Sequence, residues 1–268
     1  PHILSCPTPK THSTNGKLIP VEVAVMKKVG RESVDSEGKS APVSLLDWYN
    51  LHQEVILVQE RPVPSHDLFC HIDASGGCLN EEEAKIIMKQ LVDAAIHLEK
   101  NGVFHRDIKS ENILIETGSE VPRVRLIDFG LTSPGPHRLC LYLVGTRDHS
   151  PPEWLWFGGY TAGPTTVWQL GVVLFEMVHR SSQFRTIDFL MDRIHIRSTL
   201  SEKACLAGLP EERPTLEKLK SHSWLSEPPH GVADRKTSKR SSSLDYPSLV
   251  CVHFVGIRIN LILAGFFY

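Results

Sequence analysis

Val103-Phe104-His105-Arg106-Asp107-Ile108-Lys109-Ser110-Glu111-Asn112-Ile113-Leu114-Ile115, followed after a turn by Val124-Arg125-Leu126-Ile127-Asp128-Phe129-Gly130, is the stretch on which the reading of this chain turns. Short β-branched runs alternate with a few charged and amide residues at fixed spacing: Asp107, then Asn112, then Asp128. Loops held between strands and carrying carboxylates and a carboxamide present hard oxygen donors. Such a loop can grip a nucleotide, divalent cations and a hydroxyl nucleophile.

Working outward, the 268 residues suffice for one large domain or two modest ones. A formal net charge of -2 offers no argument for nucleic acid or for a membrane surface. The six cysteines form no C-x-x-C pair and no zinc-type cluster with histidine. Reduced thiols are expected, and with them a cytoplasmic location, the nucleus being the other compartment open. No charged segment followed by a long apolar run opens the chain, so no signal peptide is expected.

Residues 1–20 are polar, carry four prolines and read as loop. Residues 21–29 fit either a strand ending in a lysine or a helix carrying Glu22. Residues 43–49 and 54–58 read as two strands joined by a polar turn. Asn80 and Glu83 form a helix N-cap with a capping-box acid, and Ala84, Ile87, Met88, Leu91, Ala95 and Leu98 make one buried stripe ending at Asn101-Gly102. Residues 113–115 and 124–127 are short strands, 131–150 a loop, and 165–178 an almost wholly apolar helix inside the domain. Further helical patterns lie over 189–197 and 215–222. The basic, serine-rich 235–243 stretch reads as disordered linker. The apolar 249–268 run holds Arg258 near its middle, which disfavours a membrane span and favours a tail that packs on the domain or stands apart from the fold.

The sequence resembles eukaryotic Ser/Thr protein kinases, specifically the Pim family. Leu45-Leu46-Asp47-Trp48, Glu60-Arg61-Pro62 with Asp67-Leu68-Phe69, His105-Arg106-Asp107 with Asn112, Asp128-Phe129-Gly130, Gly145-Thr146-Arg147, Ser150-Pro151-Pro152-Glu153-Trp154 and Val167-Trp168 carry the resemblance. It covers about 15–224 and settles residues 21–29 in favour of the helix. The implied fold is α+β: a bilobal protein-kinase fold with a truncated β-rich N-lobe of two strands and a helix, and a mainly helical C-lobe. The implied organisation is a remnant loop at 1–20, a kinase domain at 21–230 (N-lobe 21–60, C-lobe 65–230) and a basic linker with apolar tail at 231–268.

The implied activity is ATP-dependent phosphorylation of protein Ser or Thr near basic residues, with ATP and Mg²⁺ as cofactors, by a monomer needing neither nucleic acid nor membrane. The resemblance makes Asp107 the group that accepts or orients the hydroxyl proton, Lys109 the cation steadying the transferred phosphate, and Asn112 and Asp128 the Mg²⁺ ligands. It sets Glu60 at the nucleotide hinge, and Asp67 and Glu111 where basic substrate residues are read. Arg106 and Gly130 are structural members of the two motifs, and His105 and Phe129 packing residues. Glu153 is expected to pair with Arg213. Glu22 corresponds to the glutamate that pairs with a third-strand lysine, which should lie at or just before residue 1. Lacking that partner it is expected to be a helix-surface acid. No G-x-G-x-x-G occurs in the 268 residues, and 184–213 is shorter than in the family.

The competing reading is a catalytically impaired pseudokinase that binds other proteins. Because phosphoryl transfer rests on positioning and charge stabilisation, a chain without the phosphate clamp should lose several orders of magnitude in rate. Weak or no autophosphorylation is therefore expected of the 268-residue chain. Robust, Asp107-dependent incorporation of labelled phosphate would overturn that expectation.

Overall fold

The computed structural model describes residues 10–13, 16–30, 41–51, 54–134, 139–180, 183–196, 202–226, 250–255 and 257–262. β1 (Lys10–His12) and β2 (Leu18–Pro20) form an antiparallel hairpin that runs directly into α1 (Val21–Val29). This corrects the loop expected over 1–20 at residues 10–12 and 18–20; residues 1–9 lie outside the described residues. The Ser13 N–H bonds to the Lys17 carbonyl at 2.8 Å and closes the turn, while Pro20 falls at the strand end. Residues 21–29 are helix rather than strand, with Val23, Val25, Met26 and Val29 buried.

β3 (Leu45–Asn50) and β4 (Val55–Glu60) pair antiparallel. Val55, Leu57 and Gln59 alternate along the buried face of β4, and Gln59 donates from Nε2 to Met26 Sδ on α1 at 3.4 Å. β5 (Ser65–Asp67) leads into α2 (Leu68–Ala74), a short helix that no periodicity announced; Asp67 caps it by accepting from the Cys70 N–H at 2.7 Å. In α3 (Glu81–Lys100) the Asn80 side chain accepts from the Glu83 N–H at 2.9 Å, and the stripe from Ala84 to Leu98 is buried. The reciprocal arm of the capping box is redirected. Glu83 Oε1 lies 2.7 Å from His71 Nε2 and ties α2 to α3 instead.

β6 (Val103–Phe104), β7 (Ile113–Glu116), β8 (Arg123–Leu126) and β9 (Ser133–Pro134) follow. β5, β7 and β8 make one sheet and β6 pairs with β9, so the expected 131–150 loop opens with a short strand. Then come α4 (Pro152–Phe157), α5 (Ala162–Val178), α6 (Thr186–Leu190), α7 (Glu202–Cys205), α8 (Leu216–Lys220) and α9 (Ser223–Ser226). α5 runs through the middle of the domain, and Val167, Trp168, Leu170, Val172, Val173 and Leu174 are all buried. The helical pattern over 189–197 is realised only at its start. Asp192 turns to φ 53° and the Arg193 N–H reaches back to the Asp188 carbonyl at 2.9 Å, which stops α6 early.

The two-stranded N-lobe sheet is also corrected. β10 (Val250–Val255) and β11 (Ile257–Ile262) extend it to four strands in the order β11-β10-β4-β3, with Val250 opposite Glu60 and Val255 opposite Val55. Without β10 this edge of β4 would present a row of unpaired N–H and C=O groups, which an apolar extended segment can satisfy. The 231–268 tail is thus partly sheet, and its basic 235–243 stretch lies outside the described residues. Among the described residues no helix is long and apolar enough to cross a membrane.

Two sets of contacts join the parts. The Val43 N–H donates to the Leu126 carbonyl at 3.0 Å and the Leu126 N–H to the Ala41 carbonyl at 2.7 Å, which bolts the N-lobe to β8. In the C-lobe, Arg213 grips Glu153 through Nη1 at 2.9 Å and Nη2 at 2.6 Å, with both side chains buried. The same guanidinium donates to the carbonyls of Pro164, Ala207 and Gly208, so the start of α4, the start of α5 and the 207–213 turn meet at one group. Arg213→Met should cost about 3–5 kcal/mol, because it strands a buried carboxylate. Adding Glu153→Leu should recover part of the loss but not all, since three carbonyls keep no donor. Urea unfolding of the two variants checks both expectations.

Candidate active site

β6 ends one residue before His105, and the chain then turns sharply: Arg106 takes φ 74°. A left-handed arginine is a strained backbone and must be held from outside. α5 supplies the hold. Gln169 donates from Nε2 to the Arg106 carbonyl at 2.8 Å and accepts from the Ile108 N–H at 3.4 Å.

The turn presents Asp107, which is 7% exposed and surrounded by donors. Its Oδ1 accepts from the Thr146 N–H at 3.0 Å and from Thr146 Oγ1 at 2.9 Å. Its Oδ2 accepts from Asn112 Nδ2 at 3.0 Å, with Lys109 Nζ at 3.3 Å. Lys109 also donates to Thr146 Oγ1 at 3.0 Å. Gly145 lets the segment approach: at φ 94° any Cβ there would lie 2.7 Å from the Arg106 carbonyl oxygen.

β8 delivers the second half of the site. Two residues past its end Asp128 takes φ 66°, and the Gly130 N–H donates to its Oδ1 at 3.3 Å. Phe129 is fully buried against His105, ring centroids 5.0 Å apart. Burial also holds the His105 imidazole below the usual histidine pKa, despite Asp107 and Asp128 nearby, so the ring packs as a neutral group. Asn112 donates a second bond to the Asp107 carbonyl at 2.9 Å, while its Oδ1 is a buried acceptor with no hydrogen-bond partner. An orphaned buried amide oxygen is the kind of hard donor that a divalent cation carrying phosphate ligands of its own takes. Among the described residues no cluster of three or more His, Cys, Asp or Glu side chains offers an all-protein cage.

Glu22 is not the surface acid expected without its lysine. It is 8% exposed, and its carboxyl reaches over Gly130: a Cβ there would be 3.5 Å from Glu22 Oε2 and 3.3 Å from Asp128 Oδ1. Burial first, and the Asp128 charge second, push its pKa up to about 7. The burial was not legible because α1 packs its Glu22 side toward a motif more than a hundred residues away in the chain.

Glu60 ends β4 with its carboxylate engaged by Arg125, a fully buried arginine that also donates to Glu116 at 2.7 Å. Sequence reasoning missed Arg125, whose only signal was a charged residue in the apolar run 124–127. It also gave no role to Thr146, although that residue stood in a quoted motif. Asp67 caps α2, and Glu111 is exposed beside Ser110, which donates to it at 3.3 Å. Near them a cavity of about 260 Å³ is lined by Phe69, Asp73, Ser110, Glu176, His179 and Gln183. Glu176 accepts from Ser110 Oγ at 2.8 Å and lies 3.4 Å from His149 Nε2.

Asp107, Lys109 and Asn112 meet on one strained turn, with Asp128 on a second, and residues 8–225 match the protein kinase domain. The chain belongs to the protein kinase family and is a serine/threonine kinase within it. It is 34% identical over 217 residues to the zebrafish (Danio rerio) serine/threonine-protein kinase pim-2, covering 78% of this chain and 69% of that one. It is 29% identical over 228 residues to the Caenorhabditis elegans serine/threonine-protein kinase prk-2, covering 80% of this chain and 48% of that one. It is 32% identical over 218 residues to the mouse (Mus musculus) PAS domain-containing serine/threonine-protein kinase, spanning 15% of that chain.

Glu22 sets a pH dependence of stability. Its folded pKa, about 7, stands above the unfolded value of 4.5, so the folded state holds the extra proton. The contribution is full below pH 4.5, declines as pH rises to about 7 and is lost above it. The span corresponds to about 3 kcal/mol. Glu22→Gln should remove that slope and unfold at higher urea than the parent at pH 8, while differing little at pH 4.

Proposed function

We propose that this chain transfers the γ-phosphoryl group of ATP to protein Ser or Thr hydroxyls flanked by basic residues. The observation that carries the reading is the Asp107 carboxylate, oriented through both oxygens by Thr146, Asn112 and Lys109. A hydroxyl arriving there meets an acceptor that is already aligned, and Lys109 stands close enough to balance charge on the group being transferred. Mg²⁺ held by Asn112 and Asp128 would supply the charge neutralisation that phosphoryl transfer needs.

Acidic groups support the basic preference: Asp67, exposed Glu111, and the cavity lined by Asp73 and Glu176. Glu176 is a carboxylate that a lysine or arginine head can reach, with His149 as its present neighbour. Free thiols at Cys70 and Cys78 support a reducing compartment, cytoplasm or nucleus. A second reading, a protein-binding module without transfer, is favoured by Glu22. Its buried carboxyl faces Asp128, and no ion pair with a lysine engages it among the described residues.

The test is incorporation of labelled phosphate from ATP into an arginine-rich serine peptide. Slow transfer is expected from the 268-residue chain, and Asp107→Asn should reduce it by ~10²–10⁴-fold. Asp67→Asn with Glu111→Gln keeps the α2 cap, because asparagine caps as well as aspartate. It should raise KM for the peptide roughly tenfold with kcat nearly unchanged, the pattern of lost uniform binding. Transfer that ignores Asp107, or none with intact binding of the peptide, would favour the binding-module reading.

A further inference from the structure

Glu22 is a buried acid that the transfer chemistry above leaves unused. It lies in the first turn of α1, and the residues that follow, Val23, Val25 and Met26, are buried with it. The helix cannot roll Glu22 outward without exposing them. α1 also packs on β9, which starts three residues past Gly130. The turn between Phe129 and Thr132 is pinned by its own bonds: Thr132 donates to the Phe129 carbonyl from Oγ1 at 2.7 Å and from its N–H at 3.2 Å.

The packing draws two carboxylates to one glycine. The point where a Cβ on Gly130 would stand is 3.3 Å from Asp128 Oδ1 and 3.5 Å from Glu22 Oε2, and the glycine leaves that point open. Among the described residues Glu22 makes no hydrogen bond and no ion pair, although it is only 8% exposed. Carboxylates facing each other repel, and burial removes the water that would screen them. Asn112 carries another unpartnered oxygen. Its backbone carbonyl accepts from the Ile127 N–H at 3.1 Å, next to Asp128 in the chain, and its buried Oδ1 has no hydrogen-bond partner.

We infer that Glu22 is a further ligand for the divalent cation read above on Asp128 and Asn112. The inference rests on that cation reading. Carboxylates around a space a Cβ would fill are hard donors, and the ions they suit are Mg²⁺ and Mn²⁺. Mg²⁺ is held by one or two carboxylates and completes its shell with water and phosphate rather than with an all-protein cage. A positive ion turns the repulsion between Glu22 and Asp128 into attraction for both. The second carboxylate gives the chain a hold on the ion before any nucleotide arrives, and it fastens α1 to the Asp128 turn.

Mn²⁺ is the probe, titrated into the full chain at pH 8 without nucleotide, where protons compete least for carboxylates, and read by electron-spin resonance of the free ion. The parent should bind it. Glu22→Gln and Asp128→Asn should each weaken binding on the order of tenfold. Glu22→Asp, which keeps the charge on a side chain one methylene shorter, should fall between parent and Glu22→Gln. Urea unfolding gives an independent reading and shows that the variants fold: Mn²⁺ should raise the midpoint of the parent more than that of Glu22→Gln. In a separate arm, Asp128→Asn should weaken Mn²⁺-dependent binding of ATP whatever Glu22 does. Mn²⁺ binding that Glu22→Gln leaves unchanged while Asp128→Asn weakens it would overturn the role of Glu22 alone. So would midpoints that Mn²⁺ moves equally in parent and Glu22→Gln. Mn²⁺-dependent ATP binding indifferent to Asp128→Asn would overturn the cation reading, and the role of Glu22 with it.

Discussion

The carboxylate of Asp107 is where the separate parts of this molecule converge. Its oxygens collect Thr146 from the 139–150 segment and Asn112 and Lys109 from the turn that follows it. Its partners come from two pieces of chain, so the carboxylate sets the register between them as well as its own aim. The left-handed Arg106 that makes this possible is strained, and strain of that kind persists only where neighbours over-determine it. Gln169, Gly145 and the Arg106–Tyr160 bond are those neighbours.

Buried charge does the joining elsewhere. Arg125 ties the end of β4 to the end of β7 through Glu60 and Glu116, and Arg213 ties α4 to α5 through Glu153. Ion pairs of this kind contribute little net stability, because desolvation offsets the attraction; what they impose is geometry, since a misplaced partner leaves a bare charge inside. Glu22 is the exception that shows the rule. Burial first, and the facing Asp128 second, raise its pKa to about 7, so below that pH it holds a proton.

Much of the C-lobe was legible along the chain. The α3 stripe, the apolar α5 and the paired strands β7 and β8 lie where apolar pattern and turn residues placed them, because each buries its apolar side chains along one continuous stretch of chain. The misses share a cause. The β1–β2 hairpin and α2 are too short for period to register. α6 ends on a backbone choice at Asp192, and the β4 edge is filled by β10 from nearly two hundred residues further on. Local pattern carries no information about a partner so distant.

The candidate site divides along the same line. Asp107, Lys109, Asn112, Asp128, Phe129 and Gly130 could be read directly, since one short stretch with two turns presents them all and its spacing is its geometry. Sequence by itself therefore determined the family and brought these six residues into one stretch. Tertiary structure alone decided that Glu22 is buried over Gly130, that Arg125 closes on Glu60, and that β10 extends the sheet. The reason is physical: burial, charge pairing and strand pairing are properties of neighbours in space, and those neighbours come from chain segments that only packing brings together.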